Sequence, residues 1–242
     1  MPEHSSPFDQ RVHAELHAEL LDEFALETEA WVGERLTRVM ARLNAVRTDG
    51  IPLEAHCLAI PACTAFTTPA PHVYIARVLL ERLANDEATA FVLGHEVAHH
   101  DLRHLTLYQG WTEWLPRGTG GSITAALFRN LSHQMYGPTR ESQADQYAIE
   151  LCLDAGYDGP QCLHAFEILE NESLNRGDVD GVFGPENLLD PTDPEQGSKA
   201  YQIQRWLWTH AHRYLPLRER REICWAYYRR RLTERNESPT NG

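Results

Sequence analysis

Two histidines and a glutamate, arranged as His95-Glu96-x-x-His99, are the side chains whose types and spacing point most directly to chemistry. Residues four apart share one face of an α-helix, so His95 and His99 can offer two imidazole nitrogens to one metal ion, with Glu96 about 100° round the same turn. Zinc bound by two histidines and one further protein ligand keeps an open position for water and lowers its pKa towards about 7. The pattern therefore predicts a hydrolytic zinc site in which Glu96 accepts the proton of that water.

The third zinc ligand is expected on a later helix. A glycine and a histidine at positions 102 and 105 would indicate a metzincin, but both positions hold leucine. Glu141 and Asp145 lie four apart in the segment from Thr139 to Ala155, which has an apolar stripe of period 3.6. Glu141 can complete the zinc set, and Asp145, one turn further on, can orient a ligand imidazole through its other nitrogen. The alternative is a pair of surface acids, the usual position of such residues.

The N-terminus of the helix that carries the first motif can be predicted from the sequence. Asn85 is a typical N-cap, and Asp86 and Glu87 place acids in the first turn. The side chains predicted to bury this helix are Ala88, Phe91, Val92, Val97 and Ala98. The same pattern also suits two histidines on an ordinary core helix, so the motif needs the support of its surroundings.

Several segments between Thr64 and Gly156 match, in order, the pattern of a known family. They are Thr64-Ala65-Phe66-Thr67-Thr68-Pro69-Ala70-Pro71-His72-Val73-Tyr74-Ile75, the helix Val78-Leu79-Leu80-Glu81-Arg82-Leu83, the zinc motif, Glu141-x-x-x-Asp145, and Ala155-Gly156-Tyr157-Asp158. In these segments the chain resembles the HtpX-like and CAAX-prenyl-protease-like zinc endopeptidases, family forty-eight of the metallopeptidases, which includes the mitochondrial Oma-type enzymes. It departs from the family pattern with Thr64 for Asn, Ala70-Pro71 for Gly-Gly, Asp193 for His and Lys199 for Arg. No role is transferred to Asp193.

The resemblance implies a fold and an activity. The fold would be α+β and mainly α, a gluzincin domain with a small sheet beside the zinc-binding helix. The activity would be that of a zinc-dependent endopeptidase with one zinc ion per chain, bound by His95, His99 and Glu141. A peptide or protein substrate would lie in extended form against the sheet edge formed by Val73, Tyr74 and Ile75, backbone to backbone.

The remaining elements are predicted from periodicity and from turn residues. Apolar residues at three- to four-residue steps predict one long helix from Phe8 to Val46. Residues 1–50 are thus expected to form an N-terminal long helix, residues 51–175 the catalytic core, and residues 176–242 a loop and C-terminal helices that complete the same domain. The glycine- and tryptophan-containing segment 108–121 is either a lid or part of the core covering. The loop 176–198 is expected near the cleft.

Composition limits the partners and the compartment. A formal net charge of −13 argues against a nucleic-acid partner, which would need a basic face. The sequence has no run of about 18 apolar residues, so no membrane span is expected. The first ten residues lack the basic and apolar regions of a signal peptide. Five scattered cysteines suit reduced thiols, so a cytoplasmic protein is expected.

Two further groups of charged or titratable residues have more ordinary interpretations. His100 and His104 lie on other faces of the zinc helix than the two ligands, so they are expected to face solvent or cap the helix. Seven arginines near the C-terminus can attract a membrane surface or an acidic partner, or simply form a solvated helix with the interleaved glutamates: Arg218, Arg220, Arg221, Arg229, Arg230, Arg231 and Arg235.

Two other functions compete with the enzyme hypothesis. One is a catalytically silent zinc-fold binding or regulatory module. The presence of Glu96 argues against it, since pure binding does not require a base. The other is a structural zinc site in a partner-binding domain, which would have a closed fourth ligand instead of water.

Overall fold

The computed structural model describes residues 17–18, 20–22, 24–48, 51–59, 63–68, 70–104, 137–175 and 216–237. Most of these residues form three strands and six helices. The strands are β1 (Glu54–Leu58), β2 (Ala65–Thr67) and β3 (His72–Ala76). The helices are α1 (Ala30–Val46), α2 (Arg77–Arg82), α3 (Asp86–Asp101), α4 (Gly137–Asp154), α5 (Gly159–Asn175) and α6 (Leu217–Glu237). The predicted α+β, mainly α class is confirmed. The segment 108–121, the loop 176–198 with Asp193, and residues 199–215 lie outside the described residues.

The sheet is small, and β3 is its central strand. β3 pairs in parallel with β1 and antiparallel with β2, giving the order β1-β3-β2. Because alternate side chains of a strand point to opposite faces, Val73 and Ile75 of β3 pack into the main core. Tyr74 and Ala76 point to the other face, where they join a second, smaller core. The sheet is therefore covered on both faces.

Residues N-terminal to α1 cover the second face. Helical residues 17–18 and 20–22 place Leu20 fully buried against the sheet, and Leu21 and Phe24 pack beside it. Their partners in the sheet are Leu58, Phe66, Tyr74 and Ala76. This short N-terminal segment, the described part of residues 17–24, thus belongs to the fold of the sheet.

The predicted continuous helix from Phe8 to Val46 is wrong within the described residues. After the N-terminal segment the chain becomes extended, and Leu26 forms an isolated antiparallel bridge with Leu58. The Glu27 N–H donates to the Cys57 carbonyl oxygen at 2.9 Å. Backbone pairing with β1 replaces helical hydrogen bonds over this stretch, and the chain becomes helical again only where α1 begins.

Helix α3 is the central element of the molecule. Ten of its sixteen residues are buried, and it contacts α1, α4, α5, β2 and β3. The Asn85 side chain accepts a hydrogen bond from the Ala88 N–H at 2.8 Å, which confirms the predicted N-cap. A helix buried on nearly all sides holds its side chains in fixed positions, so α3 is a rigid support for the motif that it carries.

Helices α3 and α4 both end in a turn that requires a left-handed residue. At the end of α4 this residue is Gly156, with φ of 74°, a usual choice because glycine has no Cβ. At the end of α3 it is Arg103, with φ of 55°. The His104 N–H then donates to the His99 carbonyl oxygen at 2.9 Å, the longer hydrogen bond of a Schellman motif. The turn folds His104 back against α3.

Helix α6 packs on α4 and α5 and brings most of its arginines to acids of this chain. Arg231 and Arg235 both contact Glu150, and Arg221 contacts Glu170 at 3.1 Å. These ion pairs favour the solvated-helix interpretation of the arginine cluster. Among the described helices, none combines the length and apolar character needed to cross a bilayer.

Candidate metal centre

The structure brings His95, His99 and Glu141 together where α3 packs on α4. The Nε2 atoms of His95 and His99 lie 3.0 Å apart, and each lies 3.4 Å from a carboxylate oxygen of Glu141. Ligand atoms bound at 2.0–2.1 Å around a tetrahedral zinc ion are about 3.3 Å from one another. The three donors therefore form a triangle of the size that zinc requires. His99 and Glu141 are buried, whereas His95 is half-buried.

Asp145 and Arg220 form a second layer behind this triangle. Asp145 Oδ1 lies 3.0 Å from His95 Nδ1, the ring nitrogen that does not face His99. Arg220 donates to both oxygens of Asp145, from Nε at 2.9 Å and from Nη2 at 2.8 Å, and its Nη1 lies 3.1 Å from Glu141 Oε2. Such a bidentate contact fixes the plane of the carboxylate, and with it the orientation of the His95 ring.

His104 occupies the corresponding position behind His99. The Nδ1 atoms of the two rings lie 2.9 Å apart, and His104 Nε2 lies 3.3 Å from Gln143 Oε1. One set of tautomers satisfies both contacts: His99 Nδ1–H donates to His104 Nδ1, and His104 Nε2–H donates to Gln143. In this set His99 Nε2 carries no hydrogen, so its lone pair can bind a metal ion. Of the two expectations for His104, exposure to solvent is wrong, since its side chain is buried, whereas its backbone N–H does cap α3.

The charges of the cluster balance in the metal-free chain. Burial disfavours a charged His95, but the carboxylates of Asp145 and Glu141 outweigh burial and raise its pKa to about 10. Burial likewise opposes ionised Glu141 and Asp145, but the Arg220 guanidinium holds both pKa values below their usual range. Two carboxylates thus face Arg220 and a protonated His95. A divalent cation that binds here must displace the His95 proton, so binding is coupled to proton release.

Glu96 lines the same cleft as the three donors. Burial raises the pKa of its carboxyl to about 7, although the charge on His95 opposes this shift. The backbone N–H of Thr67 in β2 donates to the carboxylate and favours its ionised form. A carboxyl whose pKa lies near the working pH can both accept and release a proton, as a general acid–base requires.

The strand beside the cleft is β2. Residues 63–67 line the cleft together with Glu96 and the three donors. The expectation that Val73, Tyr74 and Ile75 form the sheet edge does not agree with the topology, because β3 has a strand on each side. The family-like segment does line the cleft, but through its first residues instead of its last.

The backbone of β2 alternates between β3 and the cleft. The Thr64 carbonyl oxygen accepts from the Ala76 N–H at 2.9 Å, and the Thr68 N–H donates to the His72 carbonyl oxygen at 3.4 Å. In an antiparallel ladder the intervening odd-numbered residues direct their N–H and C=O groups the other way. Ala65 and Thr67 therefore point their backbone groups towards the cleft, in agreement with the Thr67 contact to Glu96.

Sequence reasoning missed two residues of this centre. Arg220 was grouped with surface arginines, yet it lies on the inward stripe of α6 with Leu217, Cys224 and Tyr228. A charged residue on a core stripe was the available signal. His104 had no such signal, because only the left-handed turn at Arg103 brings it under His99. His210, His212 and Tyr214, which belong to a sequence region expected near the site, lie outside the described residues.

Comparison with known sequences agrees with this geometry. The profile of Peptidase family M48 matches residues 27–213, and the chain belongs to this family. Among curated proteins it is similar to the mitochondrial metalloendopeptidase OMA1 of Saccharomyces cerevisiae, with 28% identity over 171 residues. The match covers 66% of the chain but 48% of the yeast protein, so the chain spans about half the length of this relative. The family is one of peptidases, and the yeast relative is a metalloendopeptidase.

Proposed function

We propose that the chain is a zinc-dependent endopeptidase of the gluzincin type, in which His95, His99 and Glu141 hold the metal and Glu96 is the general base. The observation that carries this proposal is the donor triangle with Glu96 in the same cleft. A structural zinc site would require a fourth protein ligand, and among the described residues only these three form a group of ligand size at this position.

Each residue of the centre has a distinct task. When bound, zinc supplies a Lewis acid that polarises the scissile carbonyl and lowers the pKa of water. Glu96 accepts a proton from the attacking water and passes it to the leaving amine. Asp145, held by Arg220, keeps the His95 Nε2 lone pair directed into the triangle, and His104 does the same for His99.

The substrate is proposed to lie along β2. The cleft-facing N–H and C=O groups of Ala65 can pair with an extended peptide, as in recognition by strand addition. The cleft is also lined by apolar side chains that include Val92, Phe166 and Leu169. An extended peptide on β2 can place a large apolar side chain against this wall. The substrate class is therefore an unfolded or flexible protein segment with an apolar residue next to the cleaved bond.

A cytoplasmic location is also a proposal. It is supported by the five cysteines, all of which are buried thiols outside any disulfide, as expected where thiols stay reduced. Fractionation of cells that express the tagged chain, with a high-salt wash, tests it. Recovery in mitochondria or in salt-resistant membranes would contradict it.

The experiment for the enzyme proposal is removal and return of the metal. Wild-type protein treated with a chelator should stop cleaving an unstructured protein such as reduced casein, and added zinc should restore cleavage. Glu141→Gln, which replaces the anionic ligand with a weak neutral one, should bind less zinc and cleave less at the same zinc concentration. Cleavage that survives chelation would contradict the proposal.

A further inference from the structure

A second group of metal-ligating side chains lies away from the catalytic cleft. His17, His56 and His72 each offer one ring nitrogen, and these atoms lie within 4.8 Å of one another. His56 Nε2 and His72 Nδ1 are 3.0 Å apart, and the rings of His17 and His72 stack with centroids 4.3 Å apart. All three side chains are half-buried, so the group is accessible from solvent.

The fold itself brings these three residues together. His56 of β1 and His72 of β3 lie on the same face of the sheet, because Glu54 is the partner of His72 and His56 is two residues further along β1. His17 arrives from the N-terminal segment. It precedes the buried Leu20 by three residues, a helical spacing that turns both side chains towards the sheet.

Three neighbouring imidazole side chains are chemically suited to bind a metal ion. A neutral imidazole has one N–H and one nitrogen lone pair, so three rings whose hydrogens lie on the outer nitrogens can direct three lone pairs at one ion, as the 3.0 Å approach of His56 and His72 allows. Burial, together with neighbouring imidazoles, lowers the pKa of His72 to about 4. The same causes lower the pKa of His56. His56 and His72 are thus neutral at pH 7, which is the form that binds a metal.

One more contact holds the group in place. The His17 Nδ1 atom lies 2.6 Å from the Tyr74 hydroxyl, and Tyr74 is itself fully buried. A hydrogen-bonded imidazole has a fixed ring orientation, as metal-binding histidines usually do. The 3.0 Å pair is close to the separation of about 3.3 Å expected for two ligands of zinc, and half-exposed side chains can close the remaining distance.

We propose that His17, His56 and His72 form a second metal site, for zinc or a similar borderline transition ion, which ties the N-terminal segment to β1 and β3. Imidazole ligands suit zinc, copper and nickel, and the exposed side of the group leaves room for water as a fourth ligand. The site is independent of the proposed function, because it shares no residue with the catalytic cleft.

The test is a metal count on wild-type protein and variants dialysed together against one zinc buffer. Wild type should hold about two zinc ions per chain. His17→Ala and His56→Ala should each lose about one, and His99→Ala should lose the other. His164→Ala is the matched control, since His164 is an exposed histidine paired with Glu167 on α5, and it should keep both. The combined His56→Ala and His99→Ala variant should hold none.

The pattern of losses separates the two sites. If the catalytic assignment alone fails, His56→Ala still loses one ion while His99→Ala loses none. The second site is overturned if His17→Ala and His56→Ala keep the wild-type count, or if wild type holds only one ion that His99→Ala removes. His56→Gln, with circular dichroism of every variant, guards against loss of metal through unfolding. Zinc should also raise the thermal midpoint of His99→Ala, and the midpoint of the combined variant should not respond.

Discussion

Replacing Arg220 tests whether it is the counter-charge of the buried centre. Its side chain is 10% exposed, and those of its partners Glu141 and Asp145 are 4% and 3% exposed. Removing one partner of a buried ion pair leaves the other charge without compensation, at a cost of about 3–5 kcal/mol. Arg220→Met keeps much of the apolar stem but not the charge. In metal-free protein we therefore expect it to lower the free energy of unfolding by about 3–5 kcal/mol.

The neighbouring arginine is a matched control. Arg221 lies on the same turn of α6 but contacts Glu170 at the surface, with its side chain 27% exposed. Exposed ion pairs contribute about 0–1 kcal/mol, so Arg221→Met should change stability little. Arg220→Lys retains the charge but loses the fork onto Asp145, so its loss should be intermediate.

Guanidinium unfolding of the chelated proteins, followed by circular dichroism, measures these differences. Arg220 is not the counter-charge if the free energies of unfolding of Arg220→Met and Arg221→Met agree within about 1 kcal/mol, because the buried pair would then contribute no more than a surface pair. This role is also refuted if Arg220→Lys is less stable than Arg220→Met.

Three further predictions follow from particular contacts. Asp145→Asn should weaken zinc binding about 10- to 100-fold in a chelator competition, because an amide oxygen holds the ligand imidazole less firmly; unchanged affinity would remove Asp145 from the centre. For Asp101, burial favours the protonated form, but its hydrogen bonds, two of them from Arg47, lower its pKa to about 2 from 3.8. This stabilisation is present above pH 4 and disappears as the pH falls through 2. In an acid titration, the stability difference between wild type and Asp101→Asn should therefore shrink over that range. A constant difference would contradict this prediction. Gly159→Ala should cost about 1–3 kcal/mol in thermal unfolding, because a Cβ there overlaps the buried Tyr228 ring, and a wild-type midpoint would show that the ring moves freely.

Those parts of the fold with local causes could be predicted from the sequence. Asn85 begins α3 and Gly156 ends α4, and both residue types act through their own backbone and side-chain chemistry. The break before α1 could not be predicted. No glycine or proline marks it, and the cause is pairing of Leu26 with Leu58, a residue of β1 far along the sequence.

The metal centre likewise has residues that could be predicted from the sequence and residues that could not. His95 and His99 are brought together by helical periodicity, which a sequence displays, and Glu141 and Asp145 share a face for the same reason. The strand at the sheet edge beside the cleft could not be predicted from the sequence, because strand order depends on how β1 and β2 both pair with β3. The apolar stripe of α6 indicates that Arg220 turns inward, but only long-range packing places it behind the triangle.

The central claim is that Glu96 does chemistry while His95, His99 and Glu141 hold the metal. Glu96→Gln preserves size and most hydrogen bonding but removes the carboxylate that accepts the proton. Measured on the same purified samples, zinc content and circular dichroism should match wild type, while the rate of casein cleavage falls by at least about 10². Glu87→Gln, a carboxylate in the first turn of α3 outside the cleft, should cleave at the wild-type rate. Equal cleavage by wild type and Glu96→Gln at equal zinc content would contradict the account.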